Sequence, residues 1–313
     1  MSKGLFVGMV TLDLVYLSAQ LPGKNQKIVA SDYTVAAGGP ATNAAVTFSY
    51  LGDQARILGV VGTHPITHLI RSDLERYGVT IADLDPASLE PPPVSSIIVT
   101  ESTGDRAVIS LNATKIQISP EQQPVDLLEA GIDLVLIDGH QMAVGCAIAQ
   151  LAKNKNIPVV MDGGSWKPGF EAVLPFVDYA ICSANFYPPG CRNSEEVMAY
   201  LAAVGIPHIA ITQGEEPILY WSLGVSSLIP VPHIKAVDTL AAGDVFHGAF
   251  CHYILRQNFR DSLTEAAQLA SYSCQFFGTR QWMKTSATGS EFTSYGELSD
   301  RRNLIDDLYP SPT

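Results

Sequence analysis

The chain has 313 residues, enough for one large α/β domain or two smaller ones, and its 47% hydrophobic residues are spread along the length as core material. Nineteen Lys and Arg against 31 Asp and Glu give a net charge of −12 with no basic cluster, which makes nucleic acid and anionic membrane poor partners. No apolar run is long enough for a transmembrane helix, and the five cysteines (146, 182, 191, 251 and 274) form no CxxC pair, which fits a reducing cytoplasm better than a disulfide framework.

"MSKGLFVGMVTLD" has a short apolar run without a cleavage-site pattern and reads as a first strand, 5–10, rather than a signal peptide. Residues 12–37 then hold two β-rich stretches with polar interruptions. Pro40 suits a first helical turn and Gly52 a stop, bracketing a helix in "PATNAAVTFSYLG"; a strand follows at 55–60. Ile70, Leu74 and Tyr77 form a helical stripe ending at Gly78, and 94–113 alternates around "STGD" as a hairpin. Further strands fall at 133–138, 157–162, 178–183 and 208–213, several ending in Asp, Thr or Gly. Such continuous apolar runs suit strands covered on both faces. Asn193 with Glu196, and more clearly Ser262 with Glu265, look like capping pairs. The alternation predicts a doubly wound, mostly parallel α/β sheet with helices on both faces, and the two antiparallel excursions predict a small β lid over a site. Residues 286–313 form a polar tail with one candidate short helix, in "SDRRNLIDDL".

The stretch "DTLAAGDVFHGAF" (238–250) places small residues 241–243 at a helix start, where free N–H groups and the positive dipole end can hold an anion. Asp244 beside that pocket could take a proton from a hydroxyl attacking phosphorus. An ordinary helix start with Asp in its first turn has the same shape, so form alone leaves both readings open.

The whole string resembles the C-terminal signature D-T-x-G-A-G-D of the ribokinase/PfkB carbohydrate kinases, with Ala241 where that family has glycine. "AAGGPATNAAVTFSYLG" (36–52) resembles the family's first signature, and two ordered signatures about 200 residues apart are a specific signal. The resemblance implies one ribokinase-like domain over 1–285, with lid excursions at about 12–37 and 94–113. It further implies transfer of the ATP γ-phosphoryl group to a primary hydroxyl of a small sugar. Asp244 would be the catalytic base, and the amides of Ala241, Ala242 and Gly243 the anion hole. Asp13, Gly39 and Asn43 would bind the sugar, while Gly38 is a loop residue. Asn112, His140 and Lys115 would face the sugar from the lid and nearby loops. Thr212 and Gly214 in "ITQGEEP" match a T-x-G-x-x-G nucleotide motif whose second glycine is replaced by Pro217, and Cys274 would line the adenine pocket. Mg2+ accompanies ATP, but the N-x-x-E motif is broken (Asn185, then Pro188), which leaves the metal ligands unassigned. A monovalent cation such as K+ and a homodimer through the lid complete the implied picture.

Within the family, "GMVTLDLVYLSAQLP", "GGPATNAA" and "DVFHGA" look most like the ketohexokinase and sulfofructose kinase branch. His140 stands near an arginine of those kinases. Histidine lacks the fork that grips a phosphate or sulfonate, which points to a neutral ketohexose-like sugar. Lys167 is the rival cation, with a surface position the plainer expectation. Two alternatives stand beside this reading: a nucleoside (adenosine-like) kinase, and a non-catalytic sugar- or nucleotide-binding relative suggested by Ala241, Pro217 and Pro188. His64 and His68 lack a third metal ligand, His247 and His252 read as surface or boundary residues, and Trp166, Trp221 and Trp282 as packing groups.

Overall fold

The computed structural model describes residues 1–111, 117–119, 128 and 131–285. Asn112, Lys115 and the candidate tail helix therefore lie outside the described residues. The chain opens with β1 (Lys3–Val7), leaves the main sheet for β2 (Thr11–Ser18) and β3 (Asp32–Gly38), and returns through α1 (Pro40–Tyr50) to β4 (Gln54–Gly59). Next come α2 (Thr67–Arg76), β5 (Val79–Asp83) and a second excursion, β6 (Val94–Thr100) and β7 (Arg106–Ser110). Strands and helices then alternate: β8 (Leu134–Ile137), α3 (Met142–Asn154), β9 (Val159–Gly163), α4 (Phe170–Val173), β10 (Tyr179–Ser183), α5 (Ser194–Val204) and β11 (His208–Gln213). The hairpin β12 (Glu216–Ser222) and β13 (Val225–Ile229) precedes α6 (Ala242–Ile254), α7 (Phe259–Ser273) and the short α8 (Trp282–Thr285).

Nine strands form the main sheet in the order β13-β12-β11-β10-β9-β8-β1-β4-β5, parallel except for the β12 and β13 edge. The predicted strands are all present; the Gly8 N–H still bonds Leu58 O of β4, and the chain leaves β1 after it, with the Met9 N–H turned to Asp138. Three strands escaped the sequence reading: β5, and the β12–β13 pair, which Pro217 and a run of serines disguise. The continuous apolar runs have the expected cause. Phe6, Leu134 and Leu136 enter one buried cluster with α1, α6 and α7, while Leu5, Val7, Val135 and Ile137 enter another with α3 and α5. Period-2 geometry thus feeds two helical layers from every central strand.

The two excursions pair into a separate sheet of order β3-β2-β6-β7, with a tight turn at Gly104 (φ +69°) in the predicted "STGD". Its inner residues Val15, Ile97 and Val99 pack on Leu240 and Phe277, so the lid rests on the loop that leads into α6. The cap of α5 is as expected, with Asn193 accepting the Glu196 N–H at 2.8 Å. That of α7 is not: the helix begins one turn earlier, at Asn258, which accepts from Asp261, and Ser262 is a buried helical residue bonded back to Asn258 O. Asn258 is itself a strong N-cap residue, and it takes the position first. No helix among the described residues is long and apolar enough to cross a membrane.

Helices α1 and α6 cross closely at Gly248, where an added Cβ would lie 2.3 Å from the Ala44 backbone oxygen. Gly248→Ala is expected to force the helices apart and cost about 1–3 kcal/mol. Urea unfolding measures this, and an unchanged midpoint would show that the crossing tolerates the methyl group.

Candidate active site

The parallel strands all point their C-terminal ends at one edge, and the chain reverses direction across the sheet between β1 and β8, the position where open α/β sheets form a crevice. Asp138, directly after β8, fills that position. Its carboxylate is 1% exposed as a residue and accepts the N–H groups of Met9 (2.9 Å), Ala41 (3.1 Å) and His140 (2.9 Å), with His140 Nδ1 3.2 Å away. Burial would raise its pKa, but the His140 ring and these amides outweigh it and hold the group below the usual carboxylate range. Gly8 is required here, since a Cβ would sit 2.1 Å from the Asp138 carboxylate.

Asp13 is the third residue of β2 in the lid sheet, rather than the end of the first strand motif, and is 7% exposed. Thr11 donates its hydroxyl to Oδ1 at 2.8 Å, yet burial keeps the Asp13 pKa raised. The double glycine is explained by close approach. A Cβ on Gly38 would fall 1.9 Å from Asp13 Oδ2, and one on Gly39, at φ +101°, would fall 2.4 Å from the Met9 carbonyl oxygen.

One turn into α1, Asn43 donates from Nδ2 to Asp244 Oδ2 at 2.8 Å, which joins the two signature segments. Asp244 is the third residue of α6 and is partly exposed at the cleft. Its pKa is pushed up to about 6, first by desolvation and then by the charge of Asp162 in β9. The Asn43 hydrogen bond and His247 oppose the rise, and Asp13 adds to it. His247 is buried, at 5% exposure, contrary to the surface or boundary position expected from the sequence. Its Nδ1 lies 2.7 Å from Gly243 O and 3.6 Å from Asp162 Oδ2, and its Nε2 lies 3.2 Å from Ile181 O. Helical spacing put it off the hydrophobic stripe, but β10 covers that side of α6 as well. His252 instead pairs with the buried Asp53 at 2.8 Å.

At the start of α6, Ala241 is left-handed, with φ 60° and ψ 15°. The Ala242 N–H turns back to Thr239 O at 3.3 Å, while among the described residues the N–H groups of Gly243 and Asp244 have no protein partner. Of the amides expected to line an anion hole, Ala242 is therefore partly committed, and that of Asp244 itself is a free donor the sequence reading left out.

The nucleotide-motif residues lie further along the same sheet edge. Thr212, next to last in β11, pairs with Ser183 of β10, and Gly214 (φ +67°) makes the turn into β12, where Pro217 is a strand residue. Cys274 caps α7. Its carbonyl accepts the N–H groups of Val237 and Asp238 at 2.8 and 3.1 Å, which ties the end of α7 to the loop ahead of Ala241. Lys167 is partly buried, with Nζ 3.4 Å from Asp138 O, nearer the site than its expected surface position. Four residues were missed: Asp138, Asp162, Arg106 of β7, which donates to Thr239 Oγ1 at 2.7 Å, and Arg280, which donates to Asn43 Oδ1 at 2.9 Å. The strand-end aspartates in "LVLID" and "VVMD" were visible signals for the first two; nothing local marks the arginines.

A doubly wound sheet with acids at its switch point, a helix N-terminus facing them and a β lid above defines a ribokinase-like kinase. The model of the pfkB family carbohydrate kinases matches residues 1–285, and the chain belongs to that family of carbohydrate kinases. The chain is 24% identical over 287 residues to a ribokinase of Bacillus subtilis, covering 89% of this chain and 95% of that one. It is 23% identical over 309 residues to a deoxyribokinase of Salmonella typhi, covering 93% and 98%. Among solved structures, a ribokinase of Thermotoga maritima superposes with a TM-score of 0.72 at 20% identity, covering 90% of this chain and 95% of that one. The Arabidopsis thaliana ribokinase with ribose and ATP gives 0.70 at 20% identity, covering 91% and 99%. These likenesses establish the fold; none of them singles out the ketohexokinase branch.

Ala241 holds a conformation that glycine adopts without a Cβ penalty. Ala241→Gly is expected to stabilise the protein by about 0.5–1 kcal/mol after the larger chain entropy of glycine is subtracted, raising Tm by about 1 °C. Calorimetry checks this, and a lower Tm would show that the turn carries no strain.

Proposed function

We propose that this kinase transfers the γ-phosphoryl group of ATP to the primary hydroxyl of a small neutral sugar. The observation that carries the reading is the Asp244 carboxylate, fixed 2.8 Å from Asn43 Nδ2 beside two unpaired helix N–H groups. Asp244 accepts the hydroxyl proton, and the Gly243 and Asp244 amides, with the Ala241 turn, receive charge on the moving phosphoryl group. Asp13, Asn43 and the Gly38-Gly39 turn hold the sugar, and the lid keeps water from the transferring group. ATP enters along the β10–β11 edge, past Thr212 and Gly214. Mg2+ supplies electrostatic neutralisation of the phosphates. Among the described residues no three His, Cys, Asp or Glu converge on a metal site, which fits an ion held mainly by phosphate oxygens and water.

His140 Nδ1 is buried 3.2 Å from Asp138 Oδ1 without an aligned hydrogen bond, and a single imidazole has no fork to grip a phosphate or sulfonate, which supports a substrate without either. A ketohexose-like sugar remains the proposed substrate, while the named relatives act on ribose and deoxyribose. Coupled-assay turnover on fructose, tagatose, ribose, 2-deoxyribose and adenosine ranks these, and preference for adenosine would overturn the sugar reading. Stabilisation by ligand with no phosphorylated product would favour the binding-protein alternative, and buffers with K+ or Na+ test the monovalent cation.

The outer lid face supports a homodimer. By strand register, Tyr16, Tyr33, Val35 and Ile109 share that face, and Tyr33 and Ile109 are 68% and 77% exposed. Light scattering is expected to give a dimer mass at micromolar concentration, and Tyr33→Glu with Ile109→Glu a monomer. A monomeric parent protein would remove this proposal.

Asp244→Asn separates catalysis from stability. Loss of the base is expected to lower kcat by about 100-fold or more. In the parent, kcat/KM should fall below about pH 6, where the carboxyl protonates. A raised folded-state pKa contributes stability that is complete below the unfolded value and lost as pH rises through about 6. The amide variant should therefore be the more stable protein at pH 7–8, by about 2 kcal/mol, with the advantage gone near pH 4. Undiminished turnover in this variant would falsify the base assignment.

A further inference from the structure

Arg280 lies beyond the last signature and outside every motif read from the sequence, yet it is 7% exposed and reaches the centre of the site. Nη1 donates to Asn43 Oδ1 at 2.9 Å, and Nη2 donates to Ala37 O at 2.7 Å and approaches Asp73 Oδ2 at 3.3 Å. The guanidinium lies 5.5 Å from the Tyr77 ring centroid. Asp73 Oδ2 also accepts the Ala37 N–H at 3.0 Å, so Asp73 and Arg280 together hold both backbone groups of the residue where β3 leaves the lid.

Donor and acceptor chemistry makes the Asn43 contact directional. A guanidinium can only donate, so it fixes the Asn43 carbonyl oxygen toward itself. The Asn43 NH2 group is thereby turned to Asp244, with one N–H on the carboxylate and the other available to a substrate hydroxyl. A flipped amide would set its NH2 against the guanidinium and its oxygen against the carboxylate, losing both hydrogen bonds at once. Arg280 also lowers the pKa of Asp13, against the burial that raises it. A buried guanidinium whose Nε has no hydrogen-bond partner among the described residues is a poor device for stability alone.

Resting on the kinase reading above, we propose that Arg280 is a positioning residue for phosphoryl transfer. It locks the Asn43 amide in the orientation that holds the Asp244 base and presents an N–H to the sugar. The groups that act on Asp244 come from several elements: Asp162 on β9, Asp13 on β2, His247 on α6 and Asn43 on α1. Of these, Asn43 is held by an Arg280 hydrogen bond, whereas Asp13 feels Arg280 only through its charge.

The test uses Arg280→Gln and Arg280→Lys in the full chain, each alone and with Asn43→Ala, at a temperature where thermal melts show all variants folded. Arg280→Gln is expected to lower kcat/KM for the best sugar roughly 10- to 100-fold, while the KM for ATP changes less than twofold. Its acid limb should move to higher pH, because a loosened amide no longer favours the ionised base. Arg280→Lys, which keeps the charge and one donor, should recover part of the loss. In the Asn43→Ala background either Arg280 change should cost little more, since the interaction it served is gone. Losses that track the fall in Tm, leave the pH profile in place and add fully to Asn43→Ala would reduce Arg280 to a structural clamp and overturn the proposal. The kinase reading fails separately, on retention of turnover in Asp244→Asn, whatever the Arg280 variants do.

Discussion

The rest of the site depends on one buried carboxylate. Asp138 stands where the strand order reverses, and its two oxygens gather amides from the turn after β1, the first turn of α1 and the turn after β8. Three backbone segments far apart in sequence thereby converge on one point. An ionised carboxylate without those donors would be costly to bury, and the amides without it would be unpaired. The contact is therefore mutual, and it sets where α1 begins. Once α1 is anchored there, Asn43 is one turn along and faces α6.

The helix α6 is brought to the same place by a different constraint. Gly248 lets it cross α1 at backbone distance, and that crossing brings Asp244 within hydrogen-bond reach of Asn43. The consequence is electrostatic. Asp244, Asp162 and Asp13 are each raised first by burial, and repulsion adds to it for Asp244, from Asp162 and Asp13, and for Asp162, from Asp138. Asn43, His247 and Arg280 offset part of this. A carboxyl with its pKa near 6 is a better general base at neutral pH than one near 4, so under the proposed base role the arrangement that is unfavourable to the fold would serve the chemistry. The same trade recurs in the backbone at Ala241, which occupies a left-handed turn so that the following amides point outward unpaired.

Local patterns carried the sequence reading a long way. Continuous apolar runs located the parallel strands because a strand covered on both faces has no polar side to interrupt it. Pro40, Gly52 and Asn193 marked helix ends because their backbone or side-chain chemistry is short-range. The reading failed where a local rule met a long-range one. Ser262 and Glu265 formed a good capping pair, but Asn258 capped the helix one turn earlier. His247 lay off the hydrophobic stripe of its helix and was buried anyway, because β10 covers that side. Pro217 and the serines of the edge hairpin hid two strands whose partners, rather than their own pattern, make them strands.

The sequence by itself determined the alternation of strands and helices, the excursions that form the lid, the small-residue start of α6 and the identity of Asp244 as the acid behind it. These follow from periodicity, turn chemistry and two motifs, all of which act within a few residues. Only the tertiary structure decided that Ala241 is left-handed, that the Asp244 amide is free, that the end of α7 braces a loop, that Asp162 and His247 act on Asp244, and that Arg280 holds Asn43. Those facts depend on contacts between residues far apart in the chain, such as Asn43 with Asp244 and Arg280 with Ala37. Hydrogen-bond partners, desolvation and like-charge repulsion exist only after the helices have packed, which is why the residues that tune the site are the ones no short pattern could announce.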